Sequence, residues 1–485
     1  MERKLYRVRG PWTTRRFFVH NNVMQNLGRG LAERVFYVVK DGELSKPPQS
    51  VPDIFQELNW YVKKVKKTYP GLITPIDRSE FPDLYKKPQK RAIYQKAVRV
   101  LDEEGWQRKY SEVATFVKAE KIDATSKSDP APRVIQPRRP EYNVELGVYL
   151  KPNEHHIYDS VARSLMKSPV IAKGVNALEL GNLIADKWSN FSNPCAIGLD
   201  ASRFDQHVGL QALKWEHSIY VALTAPRYRS HLKELLELQL KNRGVALAKD
   251  GGYRYSVDGC RMSGDMNTSL GNCLLMTAMT ANLCIKLGVK YDMINNGDDL
   301  VLFLEKQDCA LVYEQIPSYY LNFGFTMKVE DPVHQLEEIE FCQMHPVWTP
   351  RGYMMTRNYD VVLNKDLVTL LDIPTEKRFK QWMTAIGKGG LAAASGIPIL
   401  QSFYNQLDFG VEMGQLRNHG AFDHFSTFWC KGLNPDVVTI DPRTRESFGV
   451  AFGISLVEQL AIEDLITAWK PEYTTPSVSN FVPMF

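Results

Sequence analysis

The sequence predicts an α+β fold built on an antiparallel sheet packed by helices, and three stretches carry that prediction. Residues 290–304, KYDMINNGDDLVLFL, set two apolar runs around the polar turn Asn295-Asn296-Gly297-Asp298-Asp299. Asn-Gly between apolar runs is a strong hairpin signal, because such turns need the positive φ that glycine tolerates. Residues 195–208, CAIGLDASRFDQHV, pass from a buried strand ending at Asp200 into a helix. Residues 259–288 read as a loop and then a long helix, started by Ser263-Gly264-Asp265 and stopped by Gly288.

With 485 residues, 44% hydrophobic and 24% charged, the chain is long enough for about two to four domains or one large multi-lobed unit. Its net charge of +5 is unevenly spread: residues 1–140 hold 29 Lys+Arg against 16 Asp+Glu, and the remainder 31 against 39. A basic first part joined to a mildly acidic remainder points to a polyanionic partner, with a solvated surface as the plain alternative. Seven cysteines, an odd number without C-x-x-C, argue against a zinc site or a disulfide framework and fit a reducing compartment. No apolar run reaches the roughly 18 residues of a membrane span. No secretory signal precedes the basic stretch from Lys4 to Arg16, so the chain is not expected to cross a membrane by itself.

In chain order, residues 1–50 interleave Arg7, Arg9, Arg15 and Arg16 with Trp12, Phe17 and Phe18. That pattern suits phosphate contact with base stacking, or an arm packed over another domain. Pro52 to Lys67 reads as a helix whose last turns carry Lys63, Lys64, Lys66 and Lys67, as the helix dipole favours, and 88–115 reads as another. In 116–140, FVKAEKIDATSKSDPAPRVIQPRRP, Lys118, Lys121, Lys127, Arg133, Arg138 and Arg139 bracket a Ser/Asp/Pro-rich turn and a short strand at 133–136. Cations on both arms of such a lasso suit a triphosphate; a solvated basic loop is the alternative. Residues 141–190 read as mostly helical, and the adjacent His155 and His156 as structural, since neighbours on a helix point apart. Further helices are expected at 206–223, 227–244 and 308–323, with strands at 325–329, carrying Lys328, and 340–343. From 346 the pattern is largely helical, with glycine-bearing loops at 387–396 and an extended tail, TTPSVSNFVPMF.

Two adjacent carboxylates at a hairpin tip repel each other, and a stable turn does not need them. Beside a divalent cation they make sense, since Mg²⁺ takes hard oxygen ligands. Asp200, at the end of a neighbouring buried strand, supplies the other half of such a site with Asp298. Ions so held can orient an attacking hydroxyl and stabilise the leaving oxygen of an in-line phosphoryl displacement. Asp205 lies just past the strand end, where it meets a substrate hydroxyl, and Asn272, on one helix face with Thr268, offers an amide there. Ser263 and Gly264 form a loop that can pass close to a nucleic-acid backbone, because glycine has no side chain. Singly, a helix cap at Asp205, a packing amide at Asn272 and an N-cap at Ser263 are equally good readings. Jointly, and in this order, they are not.

The order Asp200-x₄-Asp205, Ser263-Gly264-x₃-Thr268-x₃-Asn272 and Gly297-Asp298-Asp299 resembles palm motifs A, B and C of viral RNA-dependent RNA polymerases. Residues 118–138 are similar to their motif F, and Phe341-Cys342-Gln343 to motif E. VKAEKID, PRVIQPR, YNVELGVYLKPNEHHIYD (142–159) and TRESFGVAFGISLVEQLAIE (444–463) resemble polymerases of the tombusvirus group, with its tombus-, carmo-, diantho-, luteo- and umbravirus relatives, over about 116–463. The resemblance implies a right-hand fold with a palm of antiparallel sheet and helices, fingers, and a mostly helical thumb. Residues 1–194 would be the N-terminal segment and fingers, 195–209 palm with motif A, 210–258 a fingers insertion, 259–345 palm with motifs B to E, and 346–485 thumb and tail.

The same resemblance implies RNA-templated RNA synthesis that replicates a positive-strand viral genome. Asp200 and Asp298, with Asp299 assisting at the edge, would hold Mg²⁺, or Mn²⁺ as a substitute. Asp205 and Asn272, supported by Ser263 and Thr268, would read the ribose 2′-hydroxyl. Lys118, Lys121 and Arg133 would hold the triphosphate, and Arg138, Lys127 and Gly264 would meet RNA. Lys328 would be the general acid for the pyrophosphate leaving group. Implied partners are template and nascent RNA, NTPs, a viral auxiliary replication protein, and host membranes reached through a partner or an upstream region. The implied location is membrane-associated replication complexes in the host cytoplasm. Motif G has no assigned counterpart. A reverse transcriptase would carry an aromatic gate near Asp205, and a non-catalytic RNA-binding scaffold would not need all three aspartates.

Overall fold

The apolar runs CAIGL and LVLFL lack the alternation of a half-exposed strand because both faces of their sheet are covered. The computed structural model describes residues 2–126, 129–166, 168–412 and 429–474 of a mixed helix-and-sheet chain. Its central sheet has four antiparallel strands in the order Tyr291–Asn295, Asp299–Glu305, Pro194–Ala201, Met327–Val329. Leu300, Leu302 and Leu304 join Cys195, Ile197 and Leu199 in a core shared with the helices Thr268–Leu287 and Lys306–Asn322. Val301 and Phe303, with Ala196 and Ile294, face a second core holding the helix Ala177–Ser189 and much of the chain after Leu336. Alternation therefore sorts side chains between two cores, not between core and water. The register sets Asp299 directly opposite Asp200, and Lys328 opposite Asp200 from the other neighbouring strand.

A second four-stranded sheet has the order Gly251–Asp258, Lys241–Ala248, Val113–Val117, Val134–Ile135. Two expected helices end early to supply it. Pro88–Glu104 stops at Gly105, whose φ is 73°, before the strand at 113. Arg229–Glu237 stops before the strand at 241, where Asn242, Gly244 and Ala246 alternate inward between more exposed neighbours. Gly244 is needed there because the Tyr255 ring occupies the space of a Cβ.

Three later expectations are also corrected. Residues 340–343 form a tight turn, not a strand, with Cys342 at φ 54° and Gln343 at φ 61°. The hairpin Met344–Thr349/Gly352–Arg357 follows where helix was expected. Gly387, Gly389 and Gly390 lie inside the helix Glu376–Ala392 and not in a loop. They let that helix close on Leu400–Gln406: a Cβ on Gly387 would stand 2.7 Å from the Tyr404 carbonyl oxygen. The tail from 475 onward lies outside the described residues, as does Lys127.

Residues 2–20 are an arm packed over the rest of the chain. Tyr6–Arg7 pairs with Val368–Thr369, and Phe17–Phe18 with Ile122–Asp123. Trp12 donates from Nε1 to the Leu363 carbonyl at 3.1 Å, and Arg15 bridges Asp123 and Asp360 at 2.6 Å each. The arm thus joins the basic 116–140 segment to residues 360–369.

Cys195 and Cys309 form a disulfide, where the cysteine pattern predicted none. Thr268–Leu287 is long and apolar enough by length and composition to cross a membrane, against the expectation of no such run, but 83% of its most apolar window is buried inside the protein. Behind the central sheet, fully buried Lys187 donates to Asp292 at 2.7 Å and to Ser168 at 2.8 Å. Removing one member of a buried pair strands the other charge, at a cost of about 3–5 kcal/mol. Lys187→Met is expected to lower the denaturant midpoint accordingly, and Lys187→Met/Asp292→Leu to recover most of the loss, as read by urea unfolding.

Candidate active site

The hairpin tip is held by its own amide. Asn295, fully buried, donates from Nδ2 to the carbonyls of Gly297 (2.9 Å) and Asp299 (3.0 Å), and its Oδ1 accepts from the Gly297 amide at 3.2 Å. Gly297 takes φ 96° with open space around it, so backbone conformation and not crowding demands glycine. Asp298 lies in the loop and Asp299 begins the returning strand. The Asp299 carboxylate accepts from the Cys342 amide at 2.7 Å, which draws it toward the 341–343 turn.

Asp200, next to last in its strand, is exposed, and Arg203, at φ 50°, turns the chain into the short helix Phe204–His207 that carries Asp205. The Asp205 carboxylate is held on both oxygens. Ser263 Oγ donates to Oδ2 at 2.5 Å and Asn272 Nδ2 to Oδ1 at 2.9 Å. Thr268, at the first position of the long helix, fixes the preceding loop by donating to the Met262 carbonyl at 2.9 Å. Gly264 has φ 152°, and a Cβ there would sit 2.9 Å from the Pro137 backbone. The close approach expected of this glycine is therefore to the Gln136–Pro137 backbone just after the strand Val134–Ile135, and the Gln136 amide bonds the Ser263 carbonyl at 3.0 Å.

Asp200, Asp205, Asp298, Ser263, Thr268 and Asn272 line one cleft of about 1030 Å³. Asp298 is exposed to small molecules, yet the cleft walls shield it from bulk solvent. Burial, and then the charges of Asp205 and Asp200, raise its pKa above the ordinary carboxylate range. Burial raises Asp299 further, to about 7, with Asp298, Asp200 and Glu330 adding to it against the Cys342 amide. Crowded carboxylates with hard oxygen donors suit a divalent cation, whose charge relieves the repulsion. Among the described residues no three His, Cys, Asp or Glu side chains converge on one point.

The same lining also holds cations. Arg133 was expected there. Arg34, Arg203, Lys151 and Lys173 were not. Burial lowers Arg34 to about 10, with Arg203 and Arg133 next in effect, so these three cations crowd one another as the acids do. Arg203 and Lys151 lie inside quoted motif stretches and were within reach of the sequence reading; nothing local marks Arg34 or Lys173. His155, read as structural, also lines the cleft.

Four basic residues expected at the site fall outside the cleft lining. Lys121 donates to the Lys365 and Val368 carbonyls at 2.8 Å each, and burial pushes its ammonium down to about 8. Arg138 has no exposed side-chain surface and binds Asp265, Asn242 and the Ser111 carbonyl, so it braces the 263–265 loop and cannot meet RNA. Lys118 pairs with Glu120 at 3.2 Å outside the cleft lining. Lys328 stands exposed beside Asp200 in the register without lining the cleft.

A family model described as viral RNA-dependent RNA polymerase matches residues 1–474. The RNA-directed RNA polymerase of Turnip crinkle virus is 42% identical over 486 residues, covering 97% of this chain and 61% of that protein. The corresponding proteins of Pothos latent virus (43% over 470 residues, 97% and 62% covered) and Tomato bushy stunt virus (42% over 472 residues, 97% and 56% covered) are similar to it too. The chain thus spans about three-fifths of the length of these relatives, and the resemblance to the tombusvirus group is borne out.

The raised pKa of Asp299 has a consequence for stability. Unfolded, the group loses its proton near the ordinary 3.8; folded, near 7. Between those values the native state alone holds the proton, so stability falls as pH rises through the window and levels off above it. Asp299→Asn is expected to raise Tm in EDTA by about 2 °C or more at pH 8, and by nothing near pH 4, in thermal melts.

Proposed function

This chain belongs to the viral RNA-dependent RNA polymerase family, and from that premise we propose that it adds ribonucleotides to a growing RNA strand on an RNA template, replicating a positive-strand viral genome. The observation that carries the proposal is the convergence, in one cleft, of Asp200 and Asp298 with the Ser263–Asp205–Asn272 bracket. Divalent ions, Mg²⁺ with Mn²⁺ as a substitute, would be held by Asp200 and Asp298 with Asp299 at the edge, and would supply hydroxyl activation and neutralise the pyrophosphate.

The chain's own side chains do the rest. Arg133, Arg34 and Arg203 face the triphosphate, and their mutual repulsion is relieved when an anion arrives. The Asp205 carboxylate accepts from the ribose 2′-hydroxyl while Asn272 donates to it, so a deoxyribose leaves both groups unpaired. Lys90 and Lys151, also in the lining, supply charges for template phosphates. Lys328 is assigned in this reading as the proton donor to the leaving group, from its register position opposite Asp200 alone.

In this reading the palm is 195–209 with 259–345, the fingers are 1–194 with 210–258, and the thumb is 346–485. The contacts of Trp12 and Arg15 in the arm and of Lys121 with residues 360–368 support it, because they join fingers to thumb. Work at host cytoplasmic membranes would come through a viral auxiliary protein or a region outside this sequence. On a short unprimed RNA with Mg²⁺, Asp298→Ala is expected to lower NMP incorporation at least 1000-fold, as an order-of-magnitude estimate, with RNA binding nearly intact. Wild type should favour NTPs over dNTPs. Synthesis that survives the substitution, or a dNTP preference, contradicts the proposal.

A further inference from the structure

Asn272 is placed in the sugar-reading bracket by its helix, but its position alone does not decide which end of its amide faces Asp205. An amide can turn over, and the two orientations offer opposite chemistry: Nδ2 donates two hydrogen bonds, Oδ1 only accepts. The answer lies on the other side of the residue. Arg261 Nε donates to Asn272 Oδ1 at 3.2 Å. A guanidinium has only donors and a carboxylate only acceptors, so the amide between Arg261 and Asp205 has a single satisfied orientation.

Arg261 is itself fixed. Its guanidinium forms a two-pronged pair with Glu216, and neither side chain has any exposed surface. Glu216 also accepts from Tyr220 Oη at 2.6 Å and from Asn267 Nδ2 at 2.7 Å. Burial pushes Glu216 toward protonation, but the Arg261 charge overrides it and holds the carboxyl below its usual range. Gly271 leaves the pair its space: a Cβ there would collide with the Glu216 carboxylate and the Arg261 guanidinium. Finally, the Arg261 amide donates to the Asp205 carbonyl at 2.8 Å, tying the same residue to both members of the bracket.

We propose that the buried Glu216–Arg261 pair is a positioning device for sugar selection, which locks the Asn272 amide so that Nδ2 faces Asp205 and the incoming 2′-hydroxyl. It rests on the reading of the cleft as a nucleotide site. Glu216 and Arg261 never meet the substrate; they act through Asn272. With the lock in place the site presents one acceptor, on Asp205, and one spare donor, on Asn272, which is the complement of a hydroxyl. With the lock removed the amide turns or swings, and a ribose no longer earns both bonds while a deoxyribose loses nothing.

The test compares wild type with Arg261→Lys, Glu216→Gln and the paired apolar variant Glu216→Met/Arg261→Met, which removes both charges together so that neither is stranded. For each folded protein, kcat/KM is measured for one NTP and its 2′-deoxy counterpart on the same RNA, and a crystal structure reads the Asn272 orientation. The NTP:dNTP ratio is expected to fall about tenfold or more, equivalent to about 1.4 kcal/mol. The loss should fall on the NTP, with dNTP kcat/KM changed less than about twofold, and with Asn272 turned from Asp205. An unchanged ratio overturns the proposal, whether both substrates are unaffected or decline together. So does failure of all three variants to fold, which would make the pair a fold determinant. If wild type incorporates no NTP, the polymerase reading itself falls, a result distinguishable from either.

Discussion

The candidate site depends on one pairing: Asp299 opposite Asp200 in a sheet buried on both faces. Three carboxylates repel one another, and an unsupported hairpin would relieve the repulsion by slipping or fraying. Here a one-residue slip would exchange every side chain between the two cores, sending Val301 and Phe303 where Leu300 and Leu302 belong. The apolar register therefore holds the acids against their own repulsion. Burial first, and then that repulsion, raise the pKa values of Asp298 and Asp299, and on the proposed reading a divalent cation relieves the repulsion.

A second constraint joins the two sheets. The 263–265 loop is stitched to the 134–137 segment by the Gln136–Ser263 backbone bond, by the missing Cβ of Gly264, and by the buried Arg138–Asp265 pair. Ser263 thereby reaches Asp205 from a loop whose position is set by the other sheet. The Ser263–Asp205 side of the cleft is thus tied to the segment that carries Arg133. Arg138 and Lys121 serve this frame, although their charges in a basic segment suggested direct contact with RNA and triphosphate.

The central sheet and its acids were legible because a hairpin turn, two apolar runs and the spacing from Asp200 to Asp205 are local signals. Gly288 as a helix stop was legible for the same reason. What escaped the sequence was set by distant partners. The strand at 241–248 needs Tyr255 beside Gly244, and the glycines at 387–390 need Tyr404, so neither could be told from a loop or a helix end by nearby residues. Arg34 reaches the cleft from the short π-helix Ala32–Phe36, which no local sequence signal announces, and Lys121 turns away from it toward carbonyls about 245 positions later in the chain. A basic residue in sequence has a charge but no direction; the fold supplies the direction.

The central claim is that Asp200 and Asp298, brought together by that register, form one cation site. Mn²⁺ titration of the purified chain, followed by electron paramagnetic resonance, measures it without any turnover. Wild type is expected to bind Mn²⁺, with affinity rising as pH passes through about 7 while Asp299 loses its proton, and Asp200→Asn/Asp298→Asn to lose that binding with its melting temperature maintained. Unchanged Mn²⁺ binding in the double variant would contradict the account.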